Sequence, residues 1–127
     1  MILIDAANVV GSRPTGWWKD RSNAAADFVC RIRAAAAAGR LPIPVVVVLE
    51  GKARTGVQAG DVDGVKVVHA SGAGDDALVA EAETAVEPVR LVSADRRLRT
   101  RVQELGADVI GPTWIWDLLD EPGTTAR

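Results

Sequence analysis

Residues 45–49 read Val-Val-Val-Val-Leu, an uninterrupted apolar run in which most side chains are β-branched. Such a run has no polar face to turn toward water, which is typical of a strand covered on both sides in a parallel sheet. The segment before it, Leu41-Pro42-Ile43-Pro44, cannot form helix interior because of its two prolines. We therefore expect the fold to be built around a buried parallel strand at 45–49.

Strand and helix patterns alternate outward from this run. Phe28, Ile32 and Ala35, for example, recur at helical spacing. Strands are expected at 2–4, 45–49, 65–68, 89–92 and 109–110, helices at 21–38, 74–85, 95–105 and 113–119, and a loop at 11–19. Because this alternation forms βαβ units with right-handed crossovers, the sequence predicts a three-layer α/β fold. Its sheet is mostly parallel and five-stranded, with helices on both faces.

Length, charge and cysteine content narrow the class of protein. The 127 residues amount to one domain, expected to span 1–120 and to end in a flexible tail at 121–127. A net charge of -2 excludes nucleic-acid binding by bulk positive charge. The single cysteine, Cys30, cannot form an internal disulfide, and no apolar run approaches the ~20 residues of a membrane span. We therefore expect a cytoplasmic protein that does not bind a membrane.

Acidic residues follow the predicted strands or begin the next helix. Asp5, Glu50 and Asp95 follow the first, second and fourth strands, and Asp75 and Asp76 begin the helix after the third. Since the carboxyl ends of parallel strands meet at one edge, these acids are expected to gather there and to bind Mg²⁺ or Mn²⁺, which prefer oxygen ligands. Without a cation, repulsion should raise the pKa of at least one of them.

Structural roles compete with this interpretation. Asp75 and Asp76 also suit the positive end of a helix dipole, Asp95 also suits a helix cap, and Asn8 also suits a turn. Asp5 is different, because a charged residue directly after three apolar residues of a central strand needs a partner.

Three segments carry a resemblance to a known family. They are Asp5-Ala6-Ala7-Asn8-Val9, Gly74-Asp75-Asp76-Ala77-Leu78-Val79 and Val92-Ser93-Ala94-Asp95. In order and spacing they resemble the PIN-like nuclease superfamily, in particular its NYN and YacP-like branch, across nearly the whole chain. The resemblance implies a PIN-like (Rossmannoid) fold with strand order 3-2-1-4-5. It also implies a Mg²⁺- or Mn²⁺-dependent ribonuclease that hydrolyses the phosphodiester bonds of RNA.

The resemblance further implies roles for single residues. Asp5 is the first metal ligand, Asp75 is the acid on the helix, and Asp95 is the late acid that faces Asp5. Asp76, next to Asp75, is a further candidate ligand, and Asn8 is the polar catalytic group near Asp5.

The stretch after Asp95 departs from the family pattern. Many PIN-like proteins have a further acid there, whereas this chain reads Arg96-Arg97-Leu98-Arg99. Two alternatives to the ribonuclease therefore stay open. One is a module of the same fold that binds RNA or protein with little catalysis, and the other is a phosphohydrolase that acts on small nucleotides.

Basic and aromatic residues beside the acids are candidates for RNA contacts, through phosphate binding and base stacking. The candidates are Arg97 and Arg99 after the late acid, and Arg13, Trp17 and Trp18 in the loop after the first strand. Further basic residues that would complete a rim around the acids are Lys19, Arg21, Lys52 and Arg54. The competing interpretation is that the arginines form a solvent-exposed helix face and that the tryptophans pack under the loop and hold it in place.

The last predicted helix carries two more tryptophans. Trp114 and Trp116 lie two positions apart and therefore cannot share a helix face. One is expected to anchor the helix to the sheet, and the other to lie on the surface or in a homodimer contact. His69, the single histidine, is expected to be structural.

Overall fold

A sheet of six strands runs through the molecule, and the computed structural model describes residues 1–120 of the chain. The strands are β1 (Ile2–Asp5), β2 (Val45–Leu49), β3 (Gly60–Val62), β4 (Val65–His69), β5 (Arg90–Val92) and β6 (Asp108–Ile110). The helices are α1 (Ala6–Gly11), α2 (Arg21–Ala37), α3 (Gly74–Thr84), α4 (Arg96–Gln103) and α5 (Pro112–Leu119). Two 3₁₀ segments, Trp17–Lys19 and Gly51–Gly56, lie in the connections. The predicted tail at 121–127 lies outside the described residues.

The strand order confirms the predicted fold class. The sheet runs β3-β4-β2-β1-β5-β6, with β1 at the centre and parallel to both β2 and β5. β4 pairs in parallel with β2, and β6 pairs in parallel with β5. The five strands expected from the sequence are therefore present in the order 3-2-1-4-5 that the resemblance implied.

The central strands are buried on both faces, as the run at 45–49 predicted. Side chains alternate along each strand, so Ile4 and Val47 pack on the side of α2, whereas Leu3 and Val46 pack on the side of α3 and α4. Phe28, Ile32 and Ile115 complete the first core, and Leu78, Leu98 and Val102 complete the second. Two apolar cores on one sheet account for the three layers.

The predicted number of strands was wrong by one. β3 is a short antiparallel edge strand that forms a hairpin with β4. In the turn, Asp63 and Gly64 have positive φ, and the Asp61 carboxylate accepts a hydrogen bond from the Gly64 N–H at 3.0 Å. All three β3 residues are exposed, so no buried apolar pattern marks this strand in the sequence.

The local structure differs from expectation at three further places. No element was predicted for residues 6–10, but together with Gly11, the first residue of the predicted loop, they form α1, whose N-cap is Asp5. The last helix was expected to begin at residue 113, but it begins with Pro112, a residue favoured at that position, and its N-cap is Gly111. Leu105 ends the helix predicted at 95–105 but is exposed, because α4 ends at Gln103.

Trp116 anchors α5 to the rest of the protein. Its indole N–H donates to the Val9 carbonyl and to the Ser12 hydroxyl, both at 3.1 Å, and its ring packs against Phe28. The Arg13 guanidinium lies 4.2 Å from the centre of the same ring.

Trp114 packs against the same core as Trp116. The expectation that only one of the two tryptophans packs against the protein is therefore wrong, and the homodimer contact that the sequence suggested is not supported. His69 is structural, as expected, since its Nε2 lies 2.7 Å from the Val57 carbonyl oxygen. None of the helices within residues 1–120 is long and apolar enough to cross a membrane.

We predict that Trp116→Phe lowers the free energy of unfolding by about 1–3 kcal/mol, because it removes the indole N–H that donates to Val9 and Ser12 and part of the ring that packs against Phe28. The matched change Trp18→Phe, at a side chain that is 54% exposed, should alter it by less than about 0.5 kcal/mol. Urea denaturation followed by circular dichroism measures both. Equal effects of the two substitutions would contradict the anchoring role of Trp116.

Candidate active site

Asp5 is a buried carboxylate at the carboxyl end of the central strand. It is the last residue of β1 and the N-cap of α1, and only 6% of its surface is exposed. Its Oδ2 accepts a hydrogen bond from the Ser93 hydroxyl at 2.8 Å, and its Oδ1 accepts one from the Asn8 N–H at 3.4 Å. These bonds are the partners that a charged group at this position was expected to need.

Ser93 connects Asp5 to Asp95. Its side chain is fully buried after β5, and its hydroxyl oxygen also accepts a hydrogen bond from the Asp95 N–H at 3.1 Å. Because that N–H is the donor, the hydroxyl proton is left for the Asp5 carboxylate. The two acids therefore lie at the same edge of the sheet. Ser93 was not among the predicted site residues, although it lies within the segment that carries the resemblance.

Asn8, on α1, also links Asp5 to the segment that precedes Asp95. Its side-chain oxygen accepts a hydrogen bond from the Ala94 N–H at 2.8 Å, while its own N–H donates to Asp5. The amide oxygen thus positions the segment between β5 and α4. The proximity of Asn8 to Asp5 agrees with the predicted site, and its catalytic role stays a prediction.

The other predicted acids lie at two helix starts. Asp95 caps α4, since its Oδ1 accepts a hydrogen bond from the Leu98 N–H at 3.1 Å. Asp75 is half-buried in the first turn of α3, close enough to Asp5 for its charge to influence the Asp5 pKa. The Asp76 carboxylate is exposed and forms an ion pair with Arg101 at 3.2 Å. The structure thus brings Asp75 toward Asp5 and directs Asp76 toward α4.

Glu50 lies at the same edge, as expected for an acid directly after the second strand, but the sequence assigned it no individual role. Its Oε2 accepts a hydrogen bond from the Gly74 N–H at 2.6 Å, so it stabilises the start of α3 from another element. A Cβ on residue 74 would lie 2.1 Å from that oxygen, so any other residue here would displace the carboxylate from its present position. The signal in the sequence was its place directly after β2, which matches that of the other acids.

Burial raises the pKa of Asp5 to about 6, from an ordinary value of 3.8. Desolvation is the largest cause, and the hydrogen bonds from Ser93 and Asn8 oppose it. The negative charges of Asp75 and Glu50 raise the pKa further but contribute least. The expectation of a raised pKa is confirmed, whereas its expected cause, repulsion among the acids, is secondary to burial.

The chemistry of these side chains fits a divalent cation. Asp5, Asp75 and Asp95 offer the carboxylate oxygens that Mg²⁺ and Mn²⁺ prefer. Within residues 1–120, however, no group of three or more His, Cys, Asp or Glu side chains is arranged so that it could hold a metal ion. Metal binding at this edge therefore stays a prediction.

The predicted RNA-binding residues lie in different surroundings. Trp17 is half-buried and Trp18 is exposed beside it in the 3₁₀ segment before α2. Arg97 is exposed on α4, and Arg99 is half-buried on the same helix. Arg13 forms an ion pair with Asp120 and lies on the Trp116 ring, so it connects α1 to the end of α5.

The sheet order and the acids at its carboxyl edge define a Rossmannoid α/β protein. No family model matches the chain, and no curated protein matches it in sequence. Among solved structures, it is similar to the crystal structure of a tryptophan-to-leucine mutant of Rae1 (YacP) from Bacillus subtilis, with a TM-score of 0.68 and 15% sequence identity. The match covers 94% of this chain and 74% of the Rae1 chain. The chain therefore has a YacP-like fold.

We predict that Asp5→Asn is more stable than the parent above pH 7 when divalent cations are absent. In the folded chain Asp5 ionises near pH 6, and in the unfolded chain it ionises near 3.8. The folded state therefore binds more protons between these values, and the contribution of Asp5 to the free energy of unfolding falls by about 3 kcal/mol as the pH rises through them. Asparagine cannot ionise and avoids this loss.

The measurement is urea denaturation in EDTA at pH 4 and pH 8. The advantage of Asp5→Asn should be present at pH 8 and absent at pH 4. Asp76→Asn is the control, since its exposed ion pair with Arg101 is expected to contribute less than about 1 kcal/mol. A large loss of stability of Asp5→Asn at pH 8 would show instead that the Asp5 charge is a structural partner.

Proposed function

We propose that the protein is a metal-dependent ribonuclease that hydrolyses RNA phosphodiester bonds at the carboxyl edge of its sheet. The observation that carries this proposal is the buried Asp5 carboxyl group, with its raised pKa, beside Asp75, Glu50 and Asp95. A buried acid of this kind is common at functional sites. The resemblance of three sequence segments to PIN-like nucleases supports the same conclusion, and so does the YacP-like fold.

In this proposal Asp5, Asp75 and Asp95 hold a Mg²⁺ or Mn²⁺ ion, with Asp76 as a further candidate ligand. Bound there, such an ion supplies a water of lowered pKa and stabilises negative charge on phosphate oxygens. Ser93 and Asn8 keep the Asp5 carboxylate in place through the hydrogen bonds described above. Burial of Asp5 largely excludes water from the carboxylate, which strengthens its electrostatic interactions.

The substrate contacts in this proposal come from two sides of the acids. On α4, Arg97 lines a shallow depression together with Arg96, Thr100 and Arg101. Arg99 is the second predicted contact on that helix, and Trp17 and Trp18 approach from the loop before α2. Arg13 is the weakest of the predicted contacts, because Asp120 already neutralises its charge.

One observation favours the alternative of a binding module with little catalysis. The carboxylates of Asp95 and Glu50 already accept hydrogen bonds from backbone N–H groups at helix starts. Within residues 1–120, no three His, Cys, Asp or Glu side chains are arranged so that they could hold a metal ion. A protein of this kind would bind RNA without cleaving it, so the experiments must measure both activities.

We expect Mn²⁺ or Mg²⁺ to support cleavage of single-stranded RNA by the parent, and Asp5→Asn to lower the rate by at least about 100-fold. The control is Asp108→Asn, an exposed acid on β6. A panel of single-stranded RNAs and nucleoside triphosphates, analysed by gel and by chromatography, measures the rates. The urea denaturation of Asp5→Asn described above distinguishes a loss of activity from a loss of folded protein.

The outcomes separate the alternatives. RNA binding without cleavage at any metal concentration would favour the binding module, and hydrolysis of triphosphates alone would favour the small-nucleotide phosphohydrolase. Cleavage that persists in Asp5→Asn would remove the acidic edge from the mechanism.

We also expect Arg97→Ala to weaken RNA binding and to reduce the slope of log K against log salt concentration by about 0.7, the value for one phosphate contact to a single strand. Lys66→Ala is the control, since the Lys66 ammonium already pairs with Glu81 at 3.5 Å. Fluorescence anisotropy at several salt concentrations measures both. An unchanged slope would remove α4 from the substrate path.

A further inference from the structure

A pocket of about 300 Å³ lies beside the acidic edge, between α1, α2 and the segment after β2. Its walls include Ala7, Trp17, Arg21, Ala24 and Glu50. Glu50 is shared with the acidic edge, since its charge acts on Asp5. The pocket is thus directly adjacent to the candidate active site. It has one aromatic wall, and its volume is at the lower end of the range for small-molecule sites.

A second concave surface continues from this pocket toward solvent. Trp18, Lys19, Arg21 and Lys52 line it, and Arg21 is common to both surfaces. The only acid in this outer groove is Asp20, whose carboxylate accepts a hydrogen bond from the Asn23 N–H at 3.0 Å as the cap of α2. The groove thus has three cationic side chains and one acid, which caps a helix. Its net charge is positive, in contrast to the acidic edge of the sheet beside it.

The pocket and the groove are both formed by α2 and the Gly51–Gly56 segment, which pack closely against each other. A Cβ on Gly56 would lie 2.0 Å from the Ser22 carbonyl oxygen, so the two backbones approach as closely as glycine permits. The Arg54 guanidinium donates to the carbonyls of Gly51 and Ala70, at 3.1 and 3.2 Å, which ties the segment to the end of β4.

The two tryptophans present their rings in different directions. The Trp17 and Trp18 rings are 6.1 Å apart and stand at 89° to each other. Trp17 lines the inner pocket, and Trp18 lines the outer groove. The Arg21 guanidinium lies 5.5 Å from the centre of the Trp17 ring, at the junction of the two surfaces.

We infer that these two surfaces form a track for single-stranded RNA, with one nucleobase in the pocket beside Trp17 and the next beside Trp18. Arg21, Lys19 and Lys52 then bind the phosphates between and after these bases. The inference rests on the proposed function, because it assigns the RNA path that leads to the acidic edge. An aromatic wall followed by a cationic groove is the combination by which proteins bind unpaired strands.

The pocket requires an unpaired base. A base can enter a concave site between two helices only when it is unstacked, which costs a few kcal/mol in a duplex and little in a single strand. Single-stranded RNA should therefore bind, and a duplex of the same sequence should compete poorly.

The test measures binding of a fluorescein-labelled single-stranded RNA hexamer by anisotropy, in EDTA. Ala24→Leu fills the pocket and should weaken binding roughly 10-fold, the loss expected for one stacked base. Lys52→Ala should weaken binding and reduce the salt slope by about 0.7. The matched controls are Ala34→Leu, at an exposed position of the same helix, and Lys66→Ala. Both controls should bind like the parent.

A second variant that fills the pocket is needed in case Ala24→Leu does not fold. Ala7→Leu lies at an exposed position of the pocket wall and should weaken binding in the same way if Ala24→Leu proves unstable in thermal melts. Parent-like affinity in Ala24→Leu, Ala7→Leu and Lys52→Ala would overturn the track. So would equal affinity for the duplex, or binding of a mononucleotide as tight as that of the hexamer.

The same data separate this inference from the proposed function. Binding is measured without metal and does not depend on hydrolysis. Weakened binding in the variants, together with no cleavage by the parent, would support the track and contradict the ribonuclease. Cleavage by the parent, together with unchanged binding in the variants, would contradict the track alone.

Discussion

The structure of the site depends on the burial of one carboxylate at the end of the central strand. Asp5 must have hydrogen-bond donors because it is almost inaccessible to water, and the chain supplies them from Ser93 and from the first turn of α1. The Ser93 bond joins residues 88 positions apart and fixes β5 and the start of α4 relative to β1. Asn8 repeats this connection through the Ala94 N–H. The bonds that stabilise the buried acid therefore also assemble the edge where the other acids lie.

Helix starts explain how several negative charges are tolerated at one edge. Asp5 and Asp95 cap α1 and α4, and Glu50 accepts a hydrogen bond from the first residue of α3. The positive ends of these helix dipoles stabilise carboxylates. Capping and a functional role thus do not exclude each other, since the same N–H groups that satisfy the acids also fix their positions. Asp75 differs, because it lies in the first turn of α3 without acting as its N-cap.

The four tryptophans differ in their surroundings, although Trp17 and Trp116 both line a cavity between the end of α1 and α2. Trp114 and Trp116 pack against the core on the side of α2, and Trp116 also donates hydrogen bonds to α1 and its end. Trp17 and Trp18 line concave surfaces near the acids instead. The arginines follow the same division, since Arg13 and Arg31 pair with Asp120 near Trp116, whereas Arg21 lies between the two surfaces beside Trp17 and Trp18. Residue type alone therefore does not predict the surroundings of a tryptophan or an arginine in this protein.

Local patterns in the sequence were sufficient for the elements with buried faces. The run at 45–49 is β2 as predicted, and the helical spacing of Phe28, Ile32 and Ala35 identified α2 within one residue. The acids after the strands were also evident, because they interrupt apolar runs. The tertiary structure decided what such patterns do not encode: the exposed strand β3, the capping of α3 by Glu50, the ion pair of Arg13, and the dominance of burial over repulsion in the pKa of Asp5. Each of these depends on contacts between residues far apart in the chain or on exclusion of water, which arise only when the sheet assembles.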